Sequence, residues 1–226
     1  MFFLNSTMVN YPFKILLLFA LIIAFSCKSL NIKSTKTQSK DIVFIEAENT
    51  TSDLNNWKIV KKGDENYVSG ASGEKYLEFM GNKPITGKPN SPLIYEFIAP
   101  ETGAFKLALM TSKRLEGVKN DWCNDAFVRV SGNLQSASNL STEALKKDIK
   151  ILQDGNDETP ELEWHWASTA EKDRHVYNQF IYNLNKGEKY KLTLSGRSMR
   201  FSIDYIVFYN IDKVNKSQLQ ELLKSK

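Results

Sequence analysis

The sequence has only two cysteines, Cys27 and Cys123, among its 226 residues. This scarcity excludes a small domain held together by disulfides, and it excludes a metal site built from paired cysteines. Cys123 stands in the segment NDWCND, where we expect a small buried hydrophobic side chain rather than a nucleophile. The fold must therefore be stabilised by its hydrophobic core.

A strong charge of one sign is also lacking. The chain has 30 Lys and Arg against 26 Asp and Glu, a formal net charge of +4, and Lys14 lies in a segment expected to be removed. So small and scattered an excess excludes the electrostatic surface by which proteins bind nucleic acid. The sequence also contains neither the G-x-S-x-G nor the H-E-x-x-H motif of common hydrolases.

No apolar run is long enough to span a bilayer. The longest, residues 15–25, follows Lys14 and suits the apolar region of a signal peptide. Its continuation ALIIAFSC resembles the lipobox of bacterial lipoproteins, which predicts that residues 1–26 are removed and that Cys27 is lipidated. The alternative is an ordinary signal peptide followed by a chance cysteine. A lipid on Cys27 would anchor the protein to a membrane of the bacterial cell envelope, which we expect to be the outer membrane. The sequence does not specify whether the protein lies on the periplasmic or on the outer face of that membrane.

Beyond Cys27 the chain divides into a flexible tether (27–40), one domain (41–210) and a tail (211–226) that is expected to form a short helix. Short strand-like runs separated by turn residues predict an all-β fold, a β-sandwich or jelly roll. Residues 132–161 read as an insertion between strands, with a short helix near 141–153. The predicted strands are 42–48, 57–60, 76–80, 93–98, 105–111, 126–130, 176–183, 190–195 and 201–209.

Asp204 lies in the middle of a strand that is apolar on both faces. Strict alternation places Phe201, Ile203 and Tyr205 on one face and Asp204 on the other. A buried carboxylate needs a partner, and Glu46 and Glu48 of the first strand supply two more carboxylates. Three carboxylates together favour a structural calcium ion, which oxygen ligands suit. The alternative is pairing of Asp204 with Arg197, Arg200 or a backbone amide.

Three separated blocks, FIEAEN, PETGAFKLAL and LNKGEKYKLTLSGRSMRFSIDYIVFYN, resemble carbohydrate-binding modules of the family-6 and family-35 type. The resemblance covers residues 42–210 and implies a galactose-binding-like β-jelly roll. It also implies that Glu46, Glu48 and Asp204 hold the structural calcium of such modules. The segment GKPNSPLIYEF lacks the tryptophan that these modules carry before the corresponding strand, so their usual sugar platform cannot be assumed.

Two segments that we predict to be loops, 113–125 and 163–175, combine aromatic, amide and charged side chains, the mixture that sugar recognition requires. Each candidate also has a structural interpretation: the tryptophans as core residues, Asn124 and Asp125 as strand-entry residues, and Arg197 as a bridge between loops. The candidates are Trp122, Asn124, Asp125, Trp164, Trp166, Arg114, Arg174, His175 and Arg197.

These features together predict a non-catalytic, calcium-stabilised lipoprotein that binds polysaccharide or oligosaccharide. One alternative is a polysaccharide lyase or glycoside hydrolase with the same fold, in which His165 or His175 would act with Tyr177 and Arg174. Another is an interaction or scaffold module that binds no sugar. The sequence does not specify which glycan is bound.

Overall fold

The computed structural model describes residues 39–82, 87–155 and 158–224. The predicted signal peptide, Cys27 and most of the predicted tether lie outside the described residues. Within the described part of the chain, no helix is both long enough and apolar enough to cross a membrane.

The fold is all-β, built almost entirely from antiparallel strands. Among the described residues, two α-helices accompany the strands, α1 (Thr142–Leu145) and α2 (Lys216–Lys224). The strands are β1 (Ile42–Glu46), β2 (Trp57–Lys61), β3 (Lys75–Phe79), β4 (Asn90–Ile98), β5 (Gly103–Lys113), β6 (Asp125–Ser131), β7 (Gln135–Ser136), β8 (Ile149–Gln153), β9 (His165–Asp173), β10 (Val176–Gln179), β11 (Ile181–Leu184), β12 (Lys189–Gly196) and β13 (Phe201–Asn210).

The strands follow one another in the order β2-β3-β13-β5-β9-β8-β6-β12-β4, while β1 pairs with β13, and β11 pairs with both β5 and β7. The two ends of this path meet, because Trp57 Nε1 donates to the carbonyl of Ser91 at 2.8 Å and Asn56 N donates to Ser91 Oγ at 3.2 Å. The sheet thus curls almost closed around a core to which nearly every strand contributes. This is the predicted β-sandwich.

The nine predicted strands are all present, although residues 176–183 form two strands, β10 and β11. The helix expected near 141–153 is present but covers only Thr142–Leu145, where Ser141 Oγ caps it by accepting from Ala144 N at 3.1 Å. From Ile149 the chain is strand β8, so its extension as a helix is wrong. Residues 132–161 are not an insertion, because β8 lies between β6 and β9 within the sheet.

The segment 163–175, predicted to be a loop, contains strand β9. Its polar composition concealed a central strand, because Ser168, Thr169 and Glu171 point to hydrogen-bonding partners rather than to water. β9 pairs with β5 at its start and with β8 and β10 further along. One predicted binding residue, Trp166, therefore lies on this strand, whereas Trp164 precedes it and Arg174 and His175 follow it.

A register shift in β13 falls at Asp204. Ile203 pairs with Thr111 of β5, whereas Tyr205 pairs with Met110, so Asp204 is an extra residue, a β-bulge. Residues beyond the bulge therefore change face: Phe201 and Ile203 share the main core with Ile206. Tyr205 instead packs on the opposite face, in the second cluster. The strict alternation expected for this strand is wrong for this reason.

The second apolar cluster lies on the outer face of β1, β5 and β13, and it contains Trp166 of β9. Helix α2 covers part of this face through Leu219, and Val214 packs there just before the helix begins. The short C-terminal helix expected from the sequence is therefore present and docked. Cys123 is buried and free, as its sequence context indicates.

Candidate functional site

The buried carboxylate of Asp204 is held by the segment that precedes β3. Both of its oxygens accept from the backbone N–H of Ser72 at 3.0 Å, and Ser72 Oγ donates to Glu46 Oε1 at 2.8 Å. Ser72 therefore links the carboxylates of the first and last strands. Arg197 pairs with Asp125 and Arg200 with Glu116, so the partner of Asp204 is the backbone amide and not an arginine.

Glu48 completes this group of acidic residues. Its side chain is only 2% exposed, and Lys75 Nζ lies 3.3 Å from its Oε1. Its Oε2 is buried and has no hydrogen-bond partner among the described residues. An unpartnered carboxylate oxygen in the interior is costly, so this atom is suited to a ligand that supplies positive charge.

Burial, together with the nearby charges of Glu46 and Glu48, raises the pKa of Asp204 to about 8, while the hydrogen bond from the Ser72 amide opposes the rise. Burial is also the main cause of the raised pKa of Glu48. The donor set, carboxylate oxygens with a hydroxyl nearby, fits the chemistry of calcium. No three His, Cys, Asp or Glu side chains in the described ranges are arranged to hold a metal ion, so the fit is one of donor chemistry.

Asp125 and Arg197 form a buried ion pair between the start of β6 and the turn after β12. Arg197 Nη1 donates to both carboxylate oxygens, at 2.7 and 2.6 Å, and Ser198 Oγ also contacts Asp125. Asn124 is 2% exposed, and its carbonyl accepts from Gln153 N at 2.9 Å. The structure brings these three predicted ligand residues together, in contacts that stabilise the fold.

Arg114 is likewise engaged within the protein. Its Nε and Nη2 donate to Glu78 Oε1 at 3.1 and 2.9 Å, and its Nη1 contacts Glu116. Arg200, whose Nη1 lies 2.6 Å from Glu116, donates from Nε to the carbonyl of Arg114 at 3.0 Å. These bonds fix the segment between β5 and β6.

The three predicted platform tryptophans lie in different surroundings. Trp166 is 6% exposed and packs edge-on against Tyr205, with centroids 5.9 Å apart, which argues against direct contact with a glycan. Trp164 is half-buried, donates from Nε1 to the carbonyl of Ser69 at 2.9 Å and lies edge-on to Tyr76. Trp122 is also half-buried, and Lys119 Nζ lies 5.9 Å from its ring centroid.

An open cleft of about 520 Å³ lies beside β10. Its lining combines hydroxyl and amide side chains with one exposed aromatic ring, that of Tyr177. Its polar lining residues are Ser138, Asn139, Thr169, Tyr177, Asn178 and Gln179. Thr169 Oγ1 donates to Asp154 at 3.0 Å, which fixes this side chain in the floor of the cleft.

Two of the predicted ligand residues, Arg174 and His175, are not among the residues that line this cleft, but they adjoin Tyr177, which does line it. His175 Nδ1 lies 3.4 Å from the hydroxyl of Tyr177, and Arg174 Nε lies 3.2 Å from His175 Nε2. Of the lining residues, Asn139 and Asn178 were not predicted from the sequence to have a role, and Tyr177 was predicted only as a partner in the lyase alternative. Of these residues only Tyr177 could be recognised in the sequence, because an aromatic residue in a polar strand segment is typical of a binding surface. Residues 137–139 reach the cleft only through folding, so their sequence does not indicate a role in binding.

No family model matches the sequence, and no curated protein matches it. Solved structures that are similar include a β-(1,4)-mannanase of Podospora anserina with a family 35 module (TM-score 0.43, 12% identity, covering 79% of this chain and 29% of that one). A family 35 carbohydrate-binding module from Clostridium thermocellum matches with TM-score 0.41 and 12% identity, over 75% of this chain and 98% of the module.

A family 6 module, the C-terminal one of the marine laminarinase LamC from Zobellia galactanivorans, matches with TM-score 0.41 and 13% identity. The match covers 75% of this chain and 100% of that one. Both module families that the sequence resembles are therefore among the similar structures. The chain spans less than a third of the mannanase.

Proposed function

We propose that this protein is a non-catalytic glycan-binding lipoprotein of the bacterial cell envelope, and that it binds polysaccharide or oligosaccharide in the cleft beside β10. The observation that carries the proposal is the lining of that cleft. The ring of Tyr177 offers a flat apolar surface for the C–H face of a sugar, while amides and hydroxyls around it can donate to and accept from sugar hydroxyls.

The same lining favours binding over catalysis. Hydrolysis of a glycosidic bond commonly uses two carboxyl groups, one on each side of the bond. The described residues that line the cleft include no Asp or Glu. His175, Tyr177 and Arg174, the residues that the lyase alternative would use, lie next to one another, so formation of new unsaturated ends is the measurement that separates a lyase from a binding protein.

Calcium is proposed as a structural ion of this domain. Glu46, Glu48 and Asp204 would hold it, and it would neutralise carboxylates that burial makes costly in their ionised form. The support is the buried, unpartnered Oε2 of Glu48 and the proximity of the charges of Glu46 and Glu48 to Asp204, which contributes to the raised pKa of Asp204.

The lipid anchor at Cys27 is supported by the lipobox-like sequence alone. A tether of about a dozen polar residues would let the domain move near the membrane surface, where it could meet long glycans. Such a tether would let an anchored binding protein reach glycan chains at some distance from its attachment point.

The decisive experiment incubates residues 27–226 with a panel of insoluble and soluble polysaccharides and scores two readouts, retention of the protein and formation of new reducing or unsaturated ends. We expect retention without new ends. New ends would instead support the enzyme alternative, and absence of both across the panel would support the interaction-module alternative.

A matched pair of variants tests whether the glycan binds in the cleft. Tyr177→Ala removes the exposed ring and should weaken retention, whereas Tyr67→Ala removes a partly buried tyrosine that packs elsewhere, against Tyr76. Equal loss in both variants, with unchanged thermal unfolding, would exclude the cleft as the binding site.

A further inference from the structure

A chain of hydrogen bonds leads from a cation to the aromatic ring of the cleft. Arg174 Nε is 3.2 Å from His175 Nε2, and His175 Nδ1 is 3.4 Å from the hydroxyl oxygen of Tyr177. Tyr177, a residue that is 52% exposed, lines the cleft. The three residues therefore connect a guanidinium to the binding surface.

The direction of these bonds follows from chemistry. A guanidinium nitrogen can only donate, so Nε2 of His175 is the acceptor and the proton of the neutral ring resides on Nδ1. Nδ1 then donates to the oxygen of Tyr177. The tyrosine hydroxyl keeps its own proton for a third partner, and a donor chain that begins at a positive charge is polarised toward an acceptor.

The turn that carries this chain has a fixed geometry. His175 adopts a left-handed backbone conformation, with φ of 61°, which residues other than glycine adopt at a cost in free energy. Its backbone N–H donates to Glu171 Oε1 at 2.9 Å, and Glu171 is itself paired with Lys150. A buried ion pair thus stabilises a strained turn that directs His175 toward Tyr177.

The charges around the turn leave one cation uncompensated. Glu171 is neutralised by Lys150, and the exposed Lys172 and Asp173 carry opposite charges. Arg174 takes part in no ion pair among the described residues, and its one hydrogen bond described here is to a neutral imidazole nitrogen. Its guanidinium is therefore available to an anionic group bound near Tyr177.

We propose that the cleft binds a glycan bearing an anionic group, a carboxylate or a sulfate. The anion would lie beside the Tyr177 hydroxyl and Arg174, and the sugar face would lie on the Tyr177 ring. This inference rests on the proposed function, and it names the class of ligand. Hydrogen bonds from charged and polarised donors to an anion are among the strongest available at a protein surface.

The test uses ligands that differ only in charge. One pair is a sulfated galactan and the same galactan after desulfation; the other is a polyuronate and the same polymer after reduction of its carboxyl groups. Affinity electrophoresis and calorimetry at fixed calcium and ionic strength should show binding about tenfold or more tighter for the charged member of at least one pair. The pair that responds distinguishes sulfate from carboxylate.

Variants then locate the effect. Tyr177→Phe keeps the ring but removes the hydroxyl, and Arg174→Gln removes the charge; each should lower affinity for the charged polymer about tenfold and so remove most of the difference between the charged and the neutral member of the pair. Lys172→Ala, which removes an exposed cation from the same turn, is the control and should change affinity less than about twofold.

The outcomes separate the two proposals. If the protein binds neither member of either pair nor any glycan of the panel, the proposed function is contradicted. If it binds charged and neutral members equally, the anionic ligand is contradicted while glycan binding stands. If Lys172→Ala weakens binding as much as Arg174→Gln, the position of the anion beside Arg174 is contradicted. Thermal unfolding of each variant excludes misfolding as the cause.

Discussion

Arg197 Nη1 lies 2.7 and 2.6 Å from the two carboxylate oxygens of Asp125. The carboxylate side chain is 3% exposed and the arginine side chain 16% exposed. This ion pair joins the start of β6 to the turn between β12 and β13, far along the chain. Both residues were candidate ligand contacts, and their geometry indicates a structural role.

Replacement of Arg197 should therefore destabilise the fold. Arg197→Ala leaves the carboxylate of Asp125 buried without its cation, and loss of one partner of a buried pair costs about 3–5 kcal/mol. Urea unfolding measures the change. Lys191→Ala, at an exposed position on β12, is the control, and an equally small effect of both variants would contradict the structural role.

Chelation should lower the stability of the wild-type domain if calcium is bound as proposed. A ligand that binds only the folded state adds about 2.7 kcal/mol at a hundredfold excess over its dissociation constant. Asp204→Asn preserves the shape and can still accept from Ser72, but it removes a charge, and it should abolish most of the response to calcium. Thermal unfolding of metal-stripped protein at rising calcium gives the measurement. Identical melting curves with and without chelator would contradict the calcium site.

The tryptophans should separate into core and surface residues. Trp166→Ala opens a cavity in the outer cluster and should destabilise the domain by about 3–5 kcal/mol. Trp122→Ala removes a half-buried ring and should cost less. Unfolding measurements rank the two variants, and a larger loss for Trp122→Ala would contradict the burial that the structure shows.

Glycan binding should depend on Tyr177 rather than on these tryptophans. Tyr177→Ala removes the ring that lines the cleft and should weaken binding by about 1–3 kcal/mol, from the area that an aromatic face buries. Binding is measured per folded molecule, with Trp122→Ala and Trp164→Ala alongside. If binding is lost selectively in either tryptophan variant, the binding site lies instead in the segments predicted from the sequence, 113–125 or 163–175.

His165 should titrate below its usual value. Burial lowers the pKa of His165 from 6.5, Lys113 lowers it further, and Glu163 partly opposes the shift. The folded state thus disfavours protonation more than the unfolded state does, so stability is lost as the pH falls through 6.5 toward the folded pKa. NMR titration of the ring protons measures the pKa directly. His165→Gln should reduce the loss of stability below pH 6.5, and an unchanged pH profile in this variant would contradict the shift.

The anchor prediction concerns residues outside those described. Cys27→Ala should release the protein from the membrane and abolish lipid labelling, because each buried CH₂ of an acyl chain contributes about 0.8 kcal/mol to membrane binding. Membrane fractionation and metabolic labelling with a fatty acid give the measurement. Cys123→Ala is the control for the second cysteine, and retention of label on the Cys27 variant would contradict lipidation.

Turn residues and apolar runs predicted most of the strands correctly, because hydrophobic periodicity is a local property. Strand β9 was missed because its polar residues are satisfied by partners distant in sequence, such as Asp154 for Ser168. The strand character of Ile149–Gln153 was missed because an apolar spacing typical of one helix face also suits a strand buried between two others. Both errors arise where long-range pairing overrides local preference.

The sequence by itself determined the class of the fold, the buried carboxylate at Asp204 and the burial of Cys123, since each follows from the composition of a short segment. Tertiary structure decided the rest. It selected the amide of Ser72 as the partner of Asp204, and pairing of β13 with β5 placed the bulge there. It also brought Asn139, Thr169 and Tyr177 together around one cleft, because only strand pairing sets the distances between side chains so far apart along the chain.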